Sequence, residues 1–260
     1  MRPQSRREFL ATLAGTAAGA AVLPTLLGCS PSPEEVVGGG SARLTAKPGA
    51  PTVAISPGTY QITPDLPNDG ALVVPAGYSS SRPIPLVLGL HGATMLASSQ
   101  ISLLGSLAQS RGFALLAVGA RGITWDVMSS RFSYDVLFID RALKWAFNQV
   151  AVDPTRVVVE GFSDGASYGL ALALANGDLF TKAIAFSPGF IPNSDSPAVG
   201  KARFFESHGT NDTILPIDNA SRRIVPLLKN RGYSVQYVEF TGGHQVPADI
   251  ASQAADFIMA

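Results

Sequence analysis

The chain has 260 residues, with 19 basic and 19 acidic side chains and 46% hydrophobic residues. This balance, with no basic stripe, argues against a nucleic-acid partner. Cys29 is the single cysteine, so no intramolecular disulfide can form and the domain must stand on its own core.

In chain order, the N-terminus reads first as an address. Ser5-Arg6-Arg7-Glu8-Phe9-Leu10 matches the twin-arginine export pattern and runs into an apolar stretch rich in Ala and Gly, residues 11–27. Leu26-Leu27-Gly28-Cys29 resembles a bacterial lipobox, in which the chain is cleaved in front of a cysteine whose thiol is acylated. Residues 1–28 are therefore expected to be a signal peptide and Cys29 a lipid anchor. The protein would be exported and held at a membrane, periplasmic or at the cell surface. Cleavage to a soluble exported form and an uncleaved anchor stay open; the glycines and Pro24 make a weak span. Residues 29–51, rich in Pro, Gly, Ser and Ala, read as a flexible tether. Residues 52–260 then suit one catalytic domain.

Within that domain, short apolar runs alternate with helical segments. Strands are expected at 72–74, 84–90, 113–118, 156–160, 182–186, 202–206 and 234–240. Helices are expected at 98–110, 134–148, 166–174, 218–230 and 248–259. The alternation predicts an α/β fold with a mostly parallel, doubly wound sheet, its active residues beyond the C-terminal ends of the strands. The segment 186–201 is too short for a helical lid, so no large lid domain is expected.

Gly161-Phe162-Ser163-Asp164-Gly165 lies between the β-branched run at 156–160 and the small-residue helix at 166–174. Strand, Gly-x-Ser-x-Gly, helix is the context of a nucleophile elbow. The glycines avoid a collision of side chains with strand and helix, and the helix N-terminus favours an oxyanion. A serine needs a base and an orienting acid. The chain holds three histidines, His91, His208 and His244. His244 lies on the loop after the last expected strand, and Asp212 on the loop after the strand before it. Ser163, Asp212, His244 is the chain order of the α/β-hydrolase triad.

His91-Gly92, Gly161-Phe162-Ser163-Asp164-Gly165, His208-Gly209-Thr210-Asn211-Asp212 and Gly243-His244 together resemble an α/β-hydrolase serine esterase. The nearest groups in pattern are the lidless carboxylesterases, acyl-protein thioesterases and polyhydroxyalkanoate-depolymerase or feruloyl-esterase-like enzymes. The resemblance spans residues 71–260. It implies an oxyanion hole made by the Asp164 amide and, from the loop after the strand at 84–90, the Ala93 amide, with His91 packing beneath that loop. Many such proteins carry a neutral residue where this chain has Asp164. A carboxylate there opposes an oxyanion unless its side chain points away.

For the substrate pocket, Trp125 is a candidate wall or else a packing tryptophan, and Phe162, Ser187 and Phe190 are weaker candidates. No zinc-ligand spacing, P-loop, EF-hand loop or dinucleotide fingerprint occurs, so neither metal nor cofactor is implied. The expected function is hydrolysis of a small-molecule or polymeric carboxylic ester through an acyl-enzyme, by a monomer. A peptidase or thioesterase on the same triad is the alternative, and a non-catalytic surface binding protein a more distant one.

Overall fold

Ile84–Leu90 is buried along its whole length. A strand apolar on both faces belongs inside a sheet covered on both sides. A computed structural model, describing residues 41–62, 69–128, 131–194 and 197–260, places it there. The export pattern and Cys29 lie outside the described residues.

Among the described residues, eight strands form one sheet: β1 (Gly58–Gln61), β2 (Gly70–Val74), β3 (Ile84–Leu90), β4 (Ala114–Val118), β5 (Val152–Phe162), β6 (Lys182–Phe186), β7 (Arg203–Gly209) and β8 (Val235–Phe240). Their order is β1-β2-β4-β3-β5-β6-β7-β8. β1 and β2 run antiparallel, and every pairing from β4 through β8 is parallel. The described residues also form five α-helices: α1 (Ala97–Arg111), α2 (Tyr134–Gln149), α3 (Asp164–Ala175), α4 (Ser221–Asn230) and α5 (Ala248–Met259). Strand periodicity splits the core in two. Leu86, Leu88, Val157, Val159 and Phe204 pack under α2, α3 and α4. Val87, Leu115, Val158, Ile184 and Phe205 pack under α1 and α5. Among the described residues no helix is long and apolar enough to cross a membrane.

Two expectations about the chain's course need correction. β1 was not expected: its four residues are only half-buried at alternate positions, a short edge with little apolar signal. The tether expected for residues 29–51 does not hold from Ser41 onward. Ala42, Leu44 and Ala46 are buried in the core at alternate positions. This segment pairs with no strand. Its amides are met by side chains instead: Leu44 by Asn176 Oδ1 at 2.8 Å, Thr45 and Ala46 by Asp140 Oδ1 at 2.6 and 2.7 Å. Arg43 and Lys47 both pair with Asp178 and hold its carboxyl well below the usual carboxylate range.

Candidate active site

The centre of the sheet supplies the elbow. Ser163 stands between the end of β5 and the start of α3, with φ 57° and ψ −120°. A non-glycine residue there is strained, and the surroundings must enforce it. They do so by close approach. A Cβ on Gly161 would fall on the Gly165 backbone, and one on Gly165 on the Leu90 and His91 carbonyls. The Ser163 amide donates to the Phe186 carbonyl at 2.9 Å, tying the elbow to β6.

The loop after β3 lies directly against the elbow. A Cβ on Gly92 would sit 3.3 Å from Ser163 Cβ and 3.2 Å from Phe162 Cδ1. The next amide is that of Ala93, and Thr94 then turns the chain at φ 63°. His91 braces this loop from below. Its Nδ1 donates to the Gly92 carbonyl at 2.7 Å, and its Nε2 accepts from the Ala120 amide at 2.9 Å. Both ring nitrogens are committed, and the side chain is buried.

Asp164 is the first residue of α3. Its Oδ2 accepts from Thr124 Oγ1 at 2.7 Å. This contact draws the carboxylate toward the loop after β4, a partner that sequence reasoning missed because the two residues lie forty positions apart.

The acid and base come from the other end of the sheet. Asp212 follows β7 and His244 follows β8. Gly209 lets the two loops close: a Cβ there would meet the Gly242 and Gly243 carbonyls. The Asn211 amide donates to the Gly242 carbonyl at 2.9 Å. His244 Nδ1 then donates to Asp212 Oδ2 at 2.6 Å, a short charge-assisted bond. Asp212 Oδ1 accepts the Ile214 and Leu215 amides at 2.9 and 2.8 Å. The His244 ring also packs on Phe162, with centroids 4.7 Å apart, which brings it beside the elbow.

The structure therefore groups Phe162 with His244 and seats Gly92 against Ser163. It excludes Trp125 as a pocket wall. That indole is wholly buried, donates to the His91 carbonyl at 2.8 Å and packs against His91 and Tyr168. Its N–H needed an interior partner, and the loop beneath the elbow provides one. Ser187 is likewise wholly buried and lines no open pocket. The exposed apolar side chains on the site's loops are instead Met95, Leu96, Ile123 and Ile214. Among the described residues, no group of three or more His, Cys, Asp or Glu could hold a metal.

Known proteins agree with this architecture. Feruloyl esterase C of Emericella nidulans is 29% identical over 167 residues, covering 62% of this chain and 61% of that protein. Probable feruloyl esterase C of Aspergillus oryzae is 26% identical over 174 residues, 64% of this chain and 63% of that one. The chain thus spans less than two thirds of the length of these curated relatives. Among solved structures, esterase PE8 superposes with a TM-score of 0.62 at 20% identity, covering 74% of this chain and 98% of that one. The ferulic acid esterase of Anaeromyces mucronatus gives 0.59 at 17% identity, covering 78% and 89%. At such identities the likeness establishes the fold, which is that of the α/β-hydrolases; the described residues form no large lid. The family match reaches further into sequence: over residues 130–260, which hold the elbow, Asp212 and His244, the chain belongs to the phospholipase/carboxylesterase family.

Proposed function

We propose that this protein is an exported serine hydrolase that cleaves carboxylic esters. The observation that carries the proposal is the 2.6 Å bond from His244 Nδ1 to Asp212 Oδ2, in loops that close toward a strained Ser163 elbow. With Nδ1 engaged, Nε2 of His244 is the nitrogen for proton transfer. It takes the proton of Ser163 Oγ as that oxygen attacks the ester carbonyl. The tetrahedral oxyanion is received by the Asp164 and Ala93 amides, with the N-terminus of α3 beneath it. His244 returns the proton to the leaving alcohol, and the acyl group stays on Ser163. Water then enters, deprotonated by His244, and releases the acid. Asp212 holds the imidazole in its tautomer and offsets its charge. Thr124 donates to one oxygen of the Asp164 carboxylate and so offsets part of its charge near the oxyanion.

Esters of an aromatic acid are the first substrates to test, because two relatives bear the name feruloyl esterase. The apolar Met95, Leu96, Ile123 and Ile214 suit such an acyl group or an apolar alcohol. A fluorophosphonate probe is expected to label Ser163, and Ser163→Ala to lose labelling and about 10⁴- to 10⁶-fold in kcat. Labelling elsewhere, or retention of more than about a tenth of activity, overturns the assignment.

Export and lipidation rest on the sequence pattern at Arg6, Arg7 and Cys29. Mass spectrometry of the mature N-terminus tests them. Acylated Cys29 as the first residue is expected, and an unmodified start elsewhere overturns the anchor while leaving the hydrolase assignment standing.

A further inference from the structure

A second imidazole lies behind the Asp212 carboxylate, and the reaction does not use it. His208, on β7, is wholly buried. Its Nε2 stands 2.8 Å from the Leu215 carbonyl oxygen and 3.2 Å from Asp212 Oδ2. Both are acceptors, so Nε2 carries a proton. Its Nδ1 stands 2.7 Å from the hydroxyl of Ser221, the first residue of α4, which is also wholly buried. Burial pushes this imidazole toward its neutral form. Nδ1 therefore offers a lone pair, and the Ser221 hydroxyl donates to it. That hydroxyl selects the tautomer that the other end of the ring needs.

The outcome is a clamp on the acid and on the turn that carries it. The Leu215 amide donates to Asp212 Oδ1, and the Leu215 carbonyl receives His208. Asp212 Oδ2 thus lies between two imidazoles: it accepts from His244 in front at 2.6 Å, and His208 Nε2, whose proton goes to the Leu215 carbonyl, stands 3.2 Å behind it.

We propose that His208 is a positioning residue for the hydrolysis. Its Nε2–H, fixed by Ser221, ties down the Leu215 carbonyl of the turn that grips Asp212 and presents its positive end 3.2 Å from Oδ2, which keeps the carboxylate where it meets the His244 ring. The proposal rests on the triad assignment above. The charged and titratable groups nearby leave this arrangement intact. On β8, Glu239 is paired across from His208 and is bound by Arg222 of α4 at 2.7 Å. Arg222 also binds Asp218 at 2.8 Å, and Tyr237 donates to Glu239 at 3.0 Å. On β7, Glu206 is buried, and burial pushes its carboxyl up to about 8, so it is largely neutral when His244 must work. The Ser221 hydroxyl pulls the other way without reaching bonding geometry.

The full-length protein, labelled with ¹⁵N-histidine, carries three imidazoles to resolve. His208 is expected as the neutral Nε2–H tautomer at about pH 7, since burial holds it below its ordinary value. Ser221→Ala is expected to lower kcat about tenfold with KM within about twofold. It should also move the acid limb of the kcat/KM profile upward by roughly half a unit, because Oδ2 loses the neighbouring positive end of the Nε2–H. A wild-type His208 that is an imidazolium or the Nδ1–H tautomer overturns the proposal. So does a Ser221→Ala protein whose melting temperature falls while kcat and the pH profile stay put. Fluorophosphonate labelling of the same samples separates the two levels. Labelled Ser163 with an unmoved profile removes the His208 role alone, and unlabelled wild type removes the triad with it.

Discussion

Ser163 and Asp212 are held by opposite means. Ser163 sits at the centre of the sheet, and backbone contacts hold it: Gly161, Gly165 and Gly92 are each seated where a Cβ would crowd a neighbour. Asp212 sits toward the β8 edge, and polar contacts hold it: hydrogen bonds from two amides on Oδ1 and from the His244 imidazole on Oδ2, with His208 Nε2 3.2 Å behind. Steric enforcement suits a strained serine, because close-packed backbone leaves no alternative position. Polar enforcement suits a buried carboxylate, which must be solvated by the protein if water cannot reach it. One region should fail abruptly when altered and the other by degrees.

The largest expected effect tests whether the two regions act as one unit. His244→Ala should lower kcat by about 10⁴-fold, and adding Ser163→Ala should cost little more. Losses that multiply would show that the regions work independently. Next is the steric side. Gly165→Ala should lower stability by about 3 kcal/mol or more in urea denaturation, since its Cβ meets fixed carbonyls. Gly169→Ala, on the same helix, places its Cβ 3.4 Å from Val159 Cγ2 and should be tolerated. Equal losses from both would remove the contrast.

The polar side should answer to pH. Glu206 has a folded-state carboxyl raised from 4.5 to about 8 by burial. Between those values the unfolded chain gives up the proton and the folded protein keeps it, so this residue's contribution is lost as pH rises. Glu206→Gln should gain on wild type by a few kcal/mol from about pH 4 to about pH 9. A flat difference in denaturation midpoint would show that the buried carboxyl does not titrate so. The smallest effect belongs to Thr124→Val, which removes a donor from Asp164 and leaves the shape. It should lower kcat roughly threefold to tenfold with KM steady. An unchanged kcat would mean that the Thr124 bond does not matter to the oxyanion.

The sequence revealed most about the parts set by local rules. β3, β6 and α5 fall at the expected residues, because apolar runs and helix periodicity declare themselves over short windows. β5 begins earlier than expected, at Val152: that residue pairs with Ile84, and the register then shifts before Leu86 and Val157 meet. Pro154 inside it hides the continuity, since proline offers no ladder donor. The elbow is legible for the same local reason, as its glycines and serine are contiguous. What stayed hidden was pairing at a distance. Nothing near Thr124 announces Asp164, and nothing near Ser221 announces His208. Trp125 reads as a rim because it falls in the irregular segment 119–133, yet its N–H has the His91 carbonyl as an interior partner. Composition also misled at residues 41–47, where alternation of small and charged residues outweighed the Pro and Gly that flank it.

That segment has a mechanical consequence. Arg43 grips the Ala175 carbonyl and Asp178 at the C-terminal end of α3, while Thr45 and Ala46 grip Asp140 on α2. A load arriving along the chain ahead of Ser41 would meet these side-chain clips in shear before it reached any strand of the sheet. The helix that starts at the nucleophile would feel the pull at its far end, twelve residues from Ser163. Force entering there would thus be shed into replaceable side-chain bonds, with the full length of α3 between them and the elbow.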